Sequence, residues 1–211
     1  MGQKINPTGF RVGITKNWSS RWFAGKADYS KLLLEDTKIR KLLKERFETA
    51  GVKEVEIERS PNEVKITVKV SKPGIVIGKG GEGVTKVQEE LKKITASKIS
   101  LTAEEVKSPE IEASLVAQYI ARQLKRRLPY RRLVSTATQA AMDKGAKGIK
   151  IKLAGLLSGG NSISRAETIS LGSIPSQTLR ADIDYAQLDC HMIYGTIGIK
   201  VWIYKGELEI N

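Results

Sequence analysis

Residues 75–84 read Ile75-Val76-Ile77-Gly78-Lys79-Gly80-Gly81-Glu82-Gly83-Val84. A short apolar run breaks there into four glycines within six residues, with one lysine among them. Behind the break, Val84, Val87, Leu91 and Ile94 recur at spacings of three and four, the period of a helix with one buried face. A glycine-rich turn that opens a helix points backbone N–H groups outward and lets a second backbone come close. That arrangement suits a phosphate.

Three phosphate-binding patterns compete for the stretch, beside an ordinary tight turn. The phosphate loop of nucleotide hydrolases, G-x-x-x-x-G-K-[ST], fails. Gly74 stands one residue too close to Gly78-Lys79, and Gly80 falls where a hydroxyl must reach Mg²⁺. The dinucleotide fingerprint G-x-G-x-x-G is met literally by Gly78, Gly80 and Gly83, with Glu104 about 20 residues on as a candidate ribose-binding acid. It needs a strand in front, and Pro73-Gly74 leaves room for only three residues. The third pattern, I-G-x-x-G-x-x-I, is matched by Ile77, Gly78, Gly81 and Val84, and resembles the loop with which KH modules clamp nucleotides.

The flanks favour the third. From Asp28 to Gly51 the spacing predicts a helix, broken near Asp36, with Ile39, Leu42, Leu43, Phe47 and Ala50 as its apolar stripe and Gly51 as its stop. A hairpin follows. Val55 and Ile57 alternate with glutamates, Ser60-Pro61-Asn62 turns the chain, and Val64, Ile66, Val68 and Val70 alternate with Lys65, Thr67 and Lys69. Glutamates opposite lysines on the outer face are expected as cross-strand partners. Ile99 and Leu101 suggest a third strand beyond the helix. A hairpin ahead of the glycine loop is not a dinucleotide fold, which needs repeated strand–helix–strand crossovers. The order resembles a type II KH domain, helices on a three-stranded sheet.

The whole chain has 211 residues, enough for two modest cores, and a formal net charge of +13 that points to a polyanionic partner. No apolar run reaches membrane-spanning length and no leader pattern opens the chain, whose start also fails the myristoylation pattern because Asn6 replaces a hydroxyl residue. Cys190 is the only cysteine, so no intrachain disulfide forms and a reducing compartment is expected. With His191 alone beside it, no zinc set exists. Asp189, Cys190 and His191 are consecutive, so along a strand their side chains diverge and form no nucleophile–base pair. Cys190 reads as a small buried hydrophobe.

Residues 1–27 read as a basic arm. Lys4, Arg11, Lys16, Arg21 and Lys26 occur without a single acid, and Trp18, Trp22 and Phe23 alternate with them. Aromatic rings among cations suit single-stranded nucleic acid, while the same rings also suit docking the arm on a domain. Beyond residue 106, Ser108 and Pro109 predict a helix start, Ser as cap and Pro at the first position. That helix ends in Arg122, Lys125, Arg126 and Arg127, followed by Arg131 and Arg132, and no acid occurs between Glu112 and Asp143. A solvated face normally mixes both signs. A second helix runs to Lys144 and stops at Gly145. Strands are read around Ile149–Leu153, Ile169–Leu171, Ile183–Tyr185 and Ile197–Ile203, with Ser158-Gly159-Gly160-Asn161 as a hairpin loop. Lys147, Lys150 and Lys152 are expected to extend the basic surface. The class is α+β: a KH domain, then a two-layer domain of two helices on a mostly antiparallel four-stranded sheet. The division expected is arm 1–27, KH domain 28–106 and second domain 107–211.

Several blocks together carry a closer resemblance. Met1-Gly2-Gln3-Lys4-Ile5-Asn6-Pro7-Thr8-Gly9-Phe10-Arg11, Ile77-Gly78-Lys79-Gly80-Gly81, Gly145-Ala146-Lys147-Gly148-Ile149-Lys150, Leu179-Arg180-Ala181-Asp182-Ile183-Asp184-Tyr185, Tyr194-Gly195 and Ile197-Gly198-Ile199-Lys200-Val201-Trp202-Ile203 span nearly the whole chain. They resemble the bacterial-type family of small-subunit ribosomal protein three. That resemblance implies a structural role in the ribosome, in the cytoplasm or in an organelle's matrix or stroma. It also implies small-subunit ribosomal RNA bound in the head, messenger RNA where it enters its channel, and neighbouring head proteins as partners. In the family a basic trio grips incoming messenger RNA and helps unwind it. Arg131 and Arg132 match two positions, and Ser135 falls on the third. The poverty of bases between Leu156 and Pro175, where Arg165 stands alone, and the short end after Lys205 imply reduced RNA contact in the second domain.

The expected RNA-binding residues are therefore Gly78, Lys79, Gly80 and Gly81 in the loop, and Lys4, Arg11, Lys16, Trp18, Arg21 and Trp22 in the arm. The basic patch adds Arg122, Lys125, Arg126, Arg127, Arg131, Arg132, Lys147 and Lys150. No cofactor, metal, membrane or small-molecule substrate is expected. The alternatives are a free KH-type RNA-binding protein outside the ribosome, and a nucleotide-dependent enzyme.

Overall fold

The computed structural model describes residues 4–61, 63–95, 97–158 and 163–208. They form two compact units, each with its own core. Residues 18–107 make one, and residues 108–208 together with 4–17 make the other. The stretch expected as a single arm is thus divided between them.

Asn6 starts the first helix, α1 (Pro7–Arg11). Its side-chain oxygen accepts from the Thr8 N–H at 2.9 Å and the Gly9 N–H at 3.4 Å, and Pro7 takes the first helical position, where its missing N–H costs nothing.

The first complete unit contains β1 (Ser20–Arg21), α2 (Lys26–Arg46), a 3₁₀ turn (Glu48–Ala50), β2 (Val52–Arg59), β3 (Glu63–Val70), α3 (Pro73–Ile77), α4 (Glu82–Lys92) and β4 (Lys98–Glu105). The expected alternation holds: Val55, Ile57, Val64, Ile66, Val68 and Val70 are buried with Ile39, Leu43, Phe47, Ala50, Val87 and Leu91. The outer face pairs opposite charges across β2 and β3, Glu54 with Lys69 and Glu58 with Lys65 in register, and Lys69 donates to Glu56 at 2.5 Å. Asn62 of the expected turn lies outside the described residues, and the Ser60 N–H closes the turn on the Glu63 carbonyl at 2.8 Å.

Two expectations are corrected here. α2 runs through Asp36 without a break, because the buried carboxylate is fully partnered. Arg59 donates to it at 2.6 and 2.8 Å, the Trp22 indole at 2.8 Å and the Ser20 hydroxyl at 3.1 Å. The sheet has four strands, not three, in the order β1-β2-β3-β4. β1 lies parallel along β2, and Arg40 clamps it there by donating to the Ser19 carbonyl and the Ser20 hydroxyl, each at 2.8 Å, and to the Val55 carbonyl. Ile75, Val76 and Ile77 close the short helix α3, so the glycines join two helices, with no strand in front of them.

The second unit contains a 3₁₀ turn (Pro109–Ile111), α5 (Ala113–Lys125), α6 (Tyr130–Asp143), β5 (Gly148–Gly155), β6 (Arg165–Gly172), β7 (Ala181–Met192) and β8 (Gly195–Glu207). Its strands lie in the order β6-β5-β8-β7, every neighbour antiparallel. Ile149, Ile151, Leu153, Ile197, Ile199, Val201 and Ile203 face the helices and pack against Val116, Ile120, Leu124, Leu133, Val134 and Ala137. Of the expected hairpin loop, Gly159, Gly160 and Asn161 lie outside the described residues.

The start of α5 differs from expectation. Ser108 caps nothing, and Pro109 opens only the 3₁₀ turn. The cap comes from β7, where the Asp184 carboxylate accepts from the Ala113 N–H at 2.8 Å. Glu112 lies beside it and receives Lys205 at 2.6 Å. Burial, with Glu112 next to it, pushes the Asp184 carboxyl up to about 6, while the Ala113 N–H and Lys205 pull it the other way.

Candidate nucleic-acid interface

The glycine loop divides its labour among its glycines. Gly80 (φ 62°) and Gly81 (φ 85°) take left-handed conformations, and a side chain on either would meet nothing within 4 Å. The space above them is open, and Gly81 doubles as the cap of α4. Gly83 serves packing. A Cβ there would stand 2.4 Å from the Val76 carbonyl and 2.9 Å from that of Ile77, so only glycine lets α4 press against the end of α3. A Cβ on Gly78 (φ 71°) would stand 3.0 Å from the Gly83 nitrogen, so that position too needs glycine for close approach. Lys79 opens the 3₁₀ turn Lys79–Gly81. Open backbone over a helix start is what a phosphate requires.

The second basic feature is the corner where α5 ends and α6 begins. Arg122, Lys125, Arg126, Arg127, Arg131 and Arg132 are all exposed around it. Two details set this corner apart from an ordinary helix end. Arg127 is the one non-glycine with positive φ (61°) among the described residues, in a position that glycine or asparagine usually fills. Arg131 and Arg132 occupy the first turn of α6, where the helix dipole disfavours cations, and no acid offsets them in that turn.

Among the described residues Arg126, Arg127 and Arg132 make no ion pair. Arg131 does: Glu167 of β6 accepts from its guanidinium at 3.4 Å and from the Tyr130 hydroxyl at 2.7 Å. Arg131 also sits over the Tyr130 ring at 5.8 Å. The tyrosine hydroxyl chiefly, and Arg131 with it, hold Glu167 below the usual carboxylate range. Ser135 is exposed one turn along α6.

The expected patch does not hold together as one surface. Lys147 is exposed in the loop before β5, its side chain beside Gly206. Lys150 alternates with Ile149 and Ile151, which face the helices, so it projects from the opposite side of the sheet to α5 and α6. It lies over the Trp202 ring at 5.8 Å. The sequence showed the period but not the strand order, and it therefore missed Lys200, Trp202 and Tyr185 on that same side.

Several arm residues have partners within the fold. Arg11 is 0% exposed and spends its guanidinium on carbonyls: Ala181 at 2.8 Å, Pro7 at 3.1 Å, Ser176 at 3.2 Å and Thr178 at 2.7 Å. It is a buried tie and offers nothing to a phosphate. Lys16 bridges Asp182 at 2.6 Å. Trp22 is used by Asp36 and tilts against Tyr29, ring centres 5.3 Å apart. Arg21 makes an exposed bridge to Glu58 at 3.3 Å. Lys4, Trp18 (70% exposed) and Phe23 (96% exposed) remain open. A run of bases looks alike in sequence whether it meets solvent or carbonyls.

Asp189 and His191 point to the outer side of β7 while Cys190 is buried, its thiol 3.6 Å from the Ala121 carbonyl and pushed up by burial. The three do not meet. Among the described residues no cluster of His, Cys, Asp and Glu is placed to hold a metal ion, and no helix is long and apolar enough to cross a membrane.

Residues 38–111 match the KH domain family, and residues 120–203 match the family described as ribosomal protein S3, C-terminal domain. The chain is 50% identical over 208 residues to small ribosomal subunit protein uS3 of Desulforamulus reducens, covering 99% of this chain and 94% of that protein. It is 51% identical over 209 residues to the uS3 of Caldicellulosiruptor saccharolyticus, with the same two coverages, 99% and 94%. To that of Pelagibacter ubique it is 49% identical over 208 residues, covering 99% and 92%. With a KH fold in one unit, two helices on an antiparallel sheet in the other, and identity near half along the full length, the chain belongs to the uS3 family of small ribosomal subunit proteins.

Proposed function

We propose that the chain is a structural constituent of the small ribosomal subunit that holds ribosomal RNA in the subunit head and lines the entrance of the messenger RNA channel through phosphate contacts. Its relatives are ribosomal proteins and not enzymes. The observation that carries the reading is the corner of α5 and α6. Six bases gather there, and three of them, Arg127 with its left-handed backbone and Arg131 and Arg132 in the first turn of α6, take positions that backbone or dipole disfavours. Cations concentrated on one corner without interspersed acids suit a chain of phosphates.

The glycine loop with Lys79, and the open Lys4 and Trp18, add positions where a sugar–phosphate backbone is held without its bases being read. Arg131 and Arg132 take the messenger RNA role, with Ser135 one turn on contributing no charge. Neighbouring head proteins and the cytoplasmic ribosome complete the setting.

The test is a titration of the full chain with a single-stranded RNA over a range of salt. Each phosphate contact contributes roughly 0.7 to the slope of log affinity against log salt. Replacing Arg126, Arg127 and Arg132 by Gln lowers that slope by about 2 and does not lower the thermal unfolding temperature. An unaltered slope refutes the corner as an RNA site. Sedimentation of the native protein with small subunits, in a sucrose gradient, tests the ribosomal setting.

A further inference from the structure

The second unit has a face that the reading above does not use. On the side of the β6-β5-β8-β7 sheet away from α5 and α6, the register lines up three rows across all four strands. One row is Thr168, Lys152, Lys200 and Gln187. The next is Ser170, Lys150, Trp202 and Tyr185. The third is Ala166, Ala154, Gly198 and Asp189. Towards one end of the sheet this face is closed. Ala181, Ile183 and Tyr204 are buried there, Ile174 and Trp202 pack against them half-buried, and residues 4–17 dock alongside through Arg11. Past Trp202 the face is open.

The charges on the open part are unlike those on the first sheet of the same chain. There, glutamates stand opposite lysines across β2 and β3. Here Lys152 stands directly opposite Lys200, like against like, which disfavours pairing of the strands. Lys150 stands diagonal to that pair, over the Trp202 ring. Among the described residues none of the three lysines makes an ion pair, and the face carries one acid, Asp189, in the outlying row. The rings of Trp202 and Tyr185 touch, their centres 5.3 Å apart and their planes tilted by 42°. The other positions of these rows are small or uncharged apart from Asp189: Thr168, Ser170, Ala154, Ala166, Gly198 and Gln187.

The geometry points to this face as a second RNA site, a platform for an unpaired strand: a base stacks on Trp202 and Tyr185, and phosphates lie on Lys150, Lys152 and Lys200. Aromatic rings among cations on an open sheet meet the two demands of single-stranded RNA, stacking and neutralisation. A double helix offers no free base to stack. The inference rests on the RNA-binding reading of the chain but uses none of the residues of the α5–α6 corner.

The experiment measures binding of the full chain to a fluorescent oligouridine and to a fully paired RNA hairpin, by anisotropy over a range of salt. Changing Lys152→Gln with Lys200→Gln touches only solvent-facing ends of side chains and keeps the fold, checked by circular dichroism. The double variant is expected to bind oligouridine with a salt slope smaller by about 1.4. Its binding to the hairpin is expected to stay at the wild-type level. Trp202→Leu is expected to lose about tenfold on oligouridine. The Arg126, Arg127 and Arg132 triple variant serves as the control. If it weakens binding while the lysine variant binds oligouridine like wild type, the platform is refuted and the corner stands. If hairpin and oligouridine weaken equally in the lysine variant, the face is a general phosphate contact and the stacking platform is refuted. If neither variant weakens anything, the RNA reading itself has failed.

Discussion

Arg11 shows how far a side chain's chemistry depends on where the chain puts it. Four carbonyls of its unit share its buried guanidinium. Arg11→Ala is expected to destabilise its unit by about 3 kcal/mol, since it removes several hydrogen bonds of a charged buried donor, each worth on the order of 1 kcal/mol. It is expected to leave the salt slope of RNA binding unchanged, and thermal unfolding with the RNA titration checks both. Asp184 supplies a pH dependence. Its folded pKa of about 6 lies above the ordinary 3.8, so the native state keeps a proton that the unfolded chain has released. The stability this proton contributes is full below about pH 4 and lost as pH rises through about 6, on the order of 3 kcal/mol. Asp184→Asn keeps an acceptor for the Ala113 N–H and is expected to flatten that profile, measured as urea unfolding at several pH values.

At the scale of elements the glycine loop separates two roles. Replacing Lys79 and Gly80 by Asp is expected to weaken RNA binding with the fold kept, because the space above Gly80 is open and Asp tolerates a left-handed backbone. Gly83→Ala is expected to do the reverse. Its Cβ would meet the Val76 carbonyl at 2.4 Å, so α3 and α4 must part and melting falls before any contact with RNA is touched. Circular dichroism and filter binding distinguish the two. In sequence, both glycines are letters of one motif. The elements themselves were legible where a period is long, as in the β2–β3 hairpin, the stripe of α2 and the strands of the second sheet. What escaped was whatever depends on partners far along the chain: the two-residue β1 that Arg40 holds in place, and the cap of α5 supplied by Asp184. The basic corner was legible because acids are missing there, a local property. The face with Lys150, Lys200 and Trp202 was not, because it exists only once β5 and β8 lie side by side.

For the whole molecule, two separate cores imply two separable stabilities. Deleting residues 1–17 removes Arg11 and Lys16 from the unit that contains residues 108–208 and nothing from residues 18–107. Calorimetry of the truncated chain is expected to show one transition lowered and the other unmoved. The division also has a bearing on how the protein comes into being. Arg11 leaves the ribosome that makes it 170 residues ahead of Ala181, the carbonyl that will receive it. At some 5–20 residues per second, that is a wait of roughly 10–30 s. Throughout it, a leading peptide rich in cations and empty of acids hangs unclaimed, while the intervening unit folds as a closed excursion between the two halves of its neighbour. A nascent polypeptide whose early segment is destined for carbonyls therefore spends its youth bare among nucleic acids, and only the arrival of residues 176–182 takes that segment out of their reach.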